Sequence, residues 1–130
     1  MPAKLPDLAE GVTALRPFVP AKDFERSKRF YADLGFRVQP LGDQLAAMHL
    51  GRHSFLLQDY YVQPWAENFM MHVTVDDLER WWRHILSLEL AARHGVQAPR
   101  PPKLESWGLT VAYVFDPTGV LWHFAQEAKG

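Results

Sequence analysis

WGLTVAYVFDPTGVLWHFA, residues 107–125, decides the fold. Residues 111–115 form an unbroken run of β-branched, aromatic and small side chains, as a buried strand requires. Asp116-Pro117-Thr118-Gly119 is a turn, in which Pro fixes φ, Asp accepts from the backbone and Gly allows positive φ. Residues 120–126 return as a second strand. Alternation then points Val120, Trp122 and Phe124 one way and Leu121, His123 and Ala125 the other. The bulkier set is expected to pack under a helix, leaving His123 on a face open to a ligand.

At 130 residues, 48% apolar and 13% aromatic, the chain is one globular domain with a core of its own. A net charge of −1 with both signs interspersed leaves no footprint for nucleic acid or an anionic membrane. The absence of Cys removes disulfides, thiolate metal sites and Cys nucleophiles together. No apolar run approaches membrane-spanning length and the N-terminus lacks an apolar signal core, so a soluble, cytoplasmic protein is expected.

Upstream of the hairpin the pattern occurs twice. Residues 1–11 read as an arm or loop and residues 12–19 as a strand interrupted at Pro17. Asp23 caps a helix, FERSKRFYADL, that stops at Gly35 and buries Phe24, Ser27, Phe30, Tyr31 and Leu34. Strands follow at 36–41, 45–50 and 54–60. After a linker at 61–68, residues 69–75 are a strand, Asp77 caps a second helix running to Gly95, and residues 98–105 are a proline-interrupted strand or loop. DFERSKRFY (23–31) and DLERWWRHI (77–85) share Asp, Glu and both Arg at an offset of 54. The matched order of strands, caps and glycines makes this a true internal repeat. The prediction is α+β: two tandem βαβββ modules, 12–60 and 69–126, in a half-open sheet around a cleft.

LRPFVPAKDFERSKRFYADLGF, VDDLERWW, and WG followed by DPTGVLWHF together span roughly residues 14–126. In that order they resemble the vicinal oxygen chelate superfamily of glyoxalases, extradiol dioxygenases and bleomycin-resistance proteins, with the bleomycin-resistance branch most alike. The resemblance implies a homodimer whose clefts are completed at the subunit interface. It also implies, for the enzymes of the superfamily, a divalent metal held by one side chain from each of four strands. Those positions project onto Arg16, Leu57 or Gln58, Met70 and His123. Arg has no lone pair to give and a thioether is a poor partner for hard or borderline cations. His123, His72 and Gln58 are the remaining metal candidates, and no Asp or Glu falls on a clear cleft parity near them. His49, His53, His84 and His94 are expected at the surface.

The aromatics point to binding. Trp107 occupies the WG position, which the resemblance assigns to the ligand cleft. Tyr60, Tyr61 and Trp65 make the linker aromatic, for a flat ligand or for the dimer interface. The expected function is binding of an aromatic or hydrophobic small molecule, without protein-bound metal, by His123, Trp107, Met70, His72, Arg16, Trp65 and Tyr60. The alternative is a metal-dependent lyase or dioxygenase using His72, His123 and Gln58. A protein that sequesters cationic bleomycin-type drugs would present an acidic cleft. Here Arg16 projects into it and Arg52 sits near its rim.

Overall fold

The computed structural model describes residues 5–127; the first four residues of the expected arm lie outside that range. Leu5–Glu10 is a short helix (α1) where a loop was expected. Pro6 opens its first turn and Gly11 ends it. The first module is β1 (Phe18–Ala21), α2 (Phe24–Leu34), β2 (Arg37–Pro40), β3 (Leu45–Leu50) and β4 (His53–Asp59). A one-turn helix α3 (Gln63–Glu67) fills the linker. The second is β5 (Met70–Thr74), α4 (Leu78–Ser87), α5 (Leu90–His94), β6 (Arg100–Leu104), β7 (Leu109–Phe115) and β8 (Leu121–Glu127). Each module forms a four-stranded mixed sheet, ordered β1-β4-β3-β2 (sheet A) and β5-β8-β7-β6 (sheet B).

The repeat is visible in the caps. Asp23 accepts from the Arg26 amide and Asp77 from the Arg80 amide, both at 3.1 Å. Two expectations fail. Residues 12–17 are not a strand, because Pro17 has no N–H to donate and pairing begins at Phe18. The second helix is not continuous to Gly95. Glu89, at φ 49°, breaks it into α4 and α5. The break costs about 1–2 kcal/mol in a left-handed non-Gly residue, and it turns Leu90 into the core and His94 toward α2.

The helix sides of both sheets share one core. Val19, Phe55 and Leu57 of sheet A meet Ala112, Val114, Trp122 and Phe124 of sheet B in one cluster around Phe30, Tyr31 and Leu34 of α2. Phe36, Phe55, Tyr31 and Trp122 pack mostly edge to face, with centroids 5.0–5.6 Å apart. Burial of each such ring contributes about 1.5–3 kcal/mol.

A polar knot crosses the same seam. Asp116 Oδ1 accepts from the amides of Thr118 and Val120, both at 2.8 Å. Its Oδ2 accepts the Tyr31 hydroxyl at 2.6 Å, and that hydroxyl accepts from Trp122 Nε1 at 2.9 Å. Thr118 Oγ1 accepts from the Lys22 amide. The turn of the second module is thereby tied to the helix of the first.

Candidate binding site

With the helix sides joined, the opposite face of each sheet is left uncovered, and strand pairing fixes which side chains stand there. On sheet B, Arg100 pairs with Tyr113, Tyr113 with His123 and His123 with His72. Paired residues share a face, so these four form a transverse row across all four strands. Met70 stands beside Leu121 on the same face and is 62% exposed. Alternation divides β5: Phe69, Met71, Val73 and Val75 pack against the core, while Met70, His72 and Thr74 are exposed.

His72 Nδ1 and His123 Nδ1 are 3.4 Å apart, so one ring donates and the other accepts. Desolvation first, then the neighbouring His72, holds the His123 imidazole below its usual value, with Glu105 opposing. The lowered value favours the neutral form of His123 at neutral pH. Trp107 overlooks both rings, 6.1 Å from His123 and 6.4 Å from His72. The turn that carries it is closed by Glu105 N–H to the Leu109 carbonyl and by Gly108 N–H to the Glu105 carbonyl. Gly108 sits at φ 93°, which a side chain would strain.

Two residues at this face escaped the sequence reading. The Tyr113 ring lies 5.0 Å from His123. Its hydroxyl is raised above its usual value, by desolvation and then by the nearby carboxylate of Glu105. Alternation within 111–115 would have placed Tyr113 opposite Ala112 and Val114; the run reads as uniformly buried only when parity is ignored. Glu105 stands on no strand but in the β6–β7 turn, which no motif announces, and from there its carboxylate reaches His123.

On sheet A the same reasoning puts Arg37, His49, Leu56 and Gln58 on the open face, with Leu57 buried in the core. This settles the register left open between Leu57 and Gln58. Arg16 is half-buried beside the sheet. Loss of solvation, then the guanidiniums of Arg37 and Arg16, holds His49 below its usual value, and His49 Nε2 is 2.7 Å from Gln39 Oε1.

Other predicted residues lie elsewhere. The Tyr60 and Trp65 rings are 6.0 Å apart, and Trp65 meets Phe69 edge on, beside the core side of sheet B and not the histidine row. His94 is not a surface group: its side chain is 9% exposed and its Nε2 lies 2.8 Å from Asp33. His84 bonds the Leu34 carbonyl, so both histidines tie the second helix pair to α2. His53 and Arg52 are exposed at the β3–β4 turn.

The donor set does not fit a divalent metal. Of the projected positions, Arg16 and Met70 offer no suitable lone pair, Gln58 stands on sheet A, and His123 is engaged with His72. Among the described residues no three His, Asp or Glu side chains are grouped as such a metal would need. Also among them, no helix is long and apolar enough to cross a membrane.

Comparison with known proteins agrees with this fold. The chain is 29% identical over 115 residues to a bleomycin resistance protein of Klebsiella pneumoniae, covering 85% of this chain and 90% of the relative. A bleomycin-binding protein solved in complex with bleomycin superposes with a TM-score of 0.77 at 25% identity, over 90% of this chain and 100% of that one. A bleomycin resistance determinant encoded on a transposon superposes at 0.75, also at 25% identity, over 91% and 100%. The family profile described as Glyoxalase/Bleomycin resistance protein/Dioxygenase superfamily matches residues 13–124. By its repeat, its paired sheets and that match, the chain belongs to the glyoxalase/bleomycin resistance protein/dioxygenase superfamily.

Proposed function

We propose that this protein binds and sequesters an aromatic or hydrophobic small molecule, without protein-bound metal and without turnover, in clefts that a second copy completes. The observation that carries the reading is the uncovered face of sheet B. There a sheet interior would normally lie under a second layer, yet Met70, His72 and Trp107 stand exposed beside a half-buried His123. Trp107 and Met70 supply contact area, and His72 and His123 supply hydrogen bonds. Arg16 pairs an acidic group from the other sheet. Tyr60, 52% exposed, and its neighbour Trp65 contact the second copy or the ligand's edge.

Homodimerisation is supported by apolar side chains that a lone chain leaves in water. Leu15 is 92% exposed and Val12 64% exposed, with Phe18 at 49% on the open face of sheet A. The relative solved in complex with bleomycin supports a small-molecule ligand for this cleft. Sequestration in the cytoplasm would depend on affinity and abundance.

The test combines stoichiometry with mutation. Equilibrium dialysis against a panel of planar ligands, bleomycin included, should give one bound ligand per chain. Binding should be lost in Trp107→Ala/His123→Ala protein whose circular dichroism is unchanged. Saturable binding untouched by both substitutions would place the ligand elsewhere and end this reading. The rival, a metal-dependent lyase or dioxygenase, has the His72–His123 pair in its favour. Metal-dependent turnover of a thiohemiacetal or catechol, abolished by His123→Ala, would establish it instead.

A further inference from the structure

The net charge of −1 carries no preference for the sign of a ligand, but its distribution does. Arg16 and Arg37 belong to the open side of sheet A, and Arg100 and Lys103 to that of sheet B. The carboxylates sharing those faces are Glu105 and Glu127, at the ends of their strands. Glu105 lies within electrostatic reach of Tyr113 and His123. None of the four bases has an ion-pair partner among the described residues. The acids that balance the chain lie instead at helix caps and on the helix side, as Asp23, Asp33, Asp77 and Asp116 do.

Two further observations concern the bases themselves. Arg16 Nε is buried with no hydrogen-bond partner among the described residues, a donor whose desolvation nothing offsets. Arg100 lies over the Phe115 ring at 5.5 Å and, with Lys103, Tyr113 and Glu105, lines a recess of about 510 Å³ along β6. A cationic guest would meet uncompensated guanidiniums on both sheets; an anionic one would supply the acceptors they lack.

Resting on the binding function proposed above, we infer that the ligand is an aromatic molecule carrying an acidic group. Its ring lies on the Trp107–His123–Tyr113 surface of one copy, and its carboxylate, sulfonate or phosphate is held by Arg16 and Arg37 of the second copy that completes the cleft. Arg37 is exposed beside His49 and can fork to two oxygens, whereas Arg16 reaches the anion through its unpaired edge. Aromatic cations are disfavoured by the same groups.

Matched naphthalene probes test the assignment: naphthalene-2-sulfonate and 2-naphthyltrimethylammonium, by equilibrium dialysis of the whole protein at low and high salt. The sulfonate should bind at least about tenfold tighter, with an advantage that shrinks in high salt. In Arg16→Gln/Arg37→Gln protein the advantage should vanish while both probes still bind. Arg37→Gln alone, at an exposed position, serves if the double variant fails to fold, and should weaken only the sulfonate. Equal or tighter binding of the ammonium, or a sulfonate affinity unmoved by the substitutions, overturns the charge assignment and leaves the cleft standing. Binding of neither probe removes the cleft, and this inference with it.

Discussion

Replacing Tyr31 by Phe removes one oxygen from a buried seam and strands two groups. Asp116 Oδ2 loses its only side-chain donor and Trp122 Nε1 its acceptor, in a region where both Tyr31 and Trp122 are almost wholly inaccessible. An unpaired buried polar group costs about 1–3 kcal/mol, and more when charged, so a loss of roughly 3–5 kcal/mol is expected. Urea unfolding at fixed protein concentration measures it. With m near 2 kcal/mol/M, the midpoint should fall by about 1.5–2.5 M at unchanged m.

The pH dependence adds a second signature. Burial first, against the opposing hydrogen bonds, raises the Asp116 carboxyl from 3.8 to about 6. A raised carboxyl pKa means the folded state holds the proton more tightly. The associated stability is complete below about 3.8 and is lost as pH rises through about 6. In Tyr31→Phe protein the phenolic bond no longer holds the carboxyl down, so the decline should extend to higher pH. A loss under about 1 kcal/mol with an unchanged pH profile would refute the claim that this hydroxyl pins the two modules together.

Other expectations follow from single sites. Glu89→Gly should raise stability by about 0.5–1 kcal/mol in thermal unfolding, because glycine adopts the left-handed backbone at the α4–α5 break without strain. Trp107→Ala should weaken a bound planar ligand about 3- to 10-fold by calorimetry while leaving the urea midpoint within error, since the ring is half-exposed in the free chain. His123 takes up its proton only below 6.5, held there by desolvation and His72. The affinity for an anionic ligand should therefore rise as pH drops from neutrality toward that lower value, and His123→Gln should flatten the profile.

What could be foreseen divides along physical lines. Helix caps at Asp23 and Asp77, the Asp116 turn and the alternation of β5 and β8 are local signals, and they placed both modules and the open faces of His72 and His123. The pairing of those two histidines is a register between strands 51 positions apart in sequence, set by the core and not by either strand. Glu89 carries no mark of a break, because the reward for bending the chain there is collected at Leu90 and His94. Glu105 owes its position to a turn closed by backbone bonds alone. Arg16 was expected on a strand; it stands beside the sheet because Pro17 postpones pairing by two residues.

The knot at Asp116 gives the linker an unexpected standing. The groups that hold the halves together lie at residues 22–34, 84–94 and 116–122, away from the peptide that joins them. Between Tyr60 and Met70 the chain contributes one short helix, whose Ala66 is buried and whose Trp65 packs on Phe69. The protein is in effect a complex of two partners that happen to be tethered. A chain opened between Tyr61 and Val62 would be expected to reassemble from its fragments, each acting as the template on which the other completes its core.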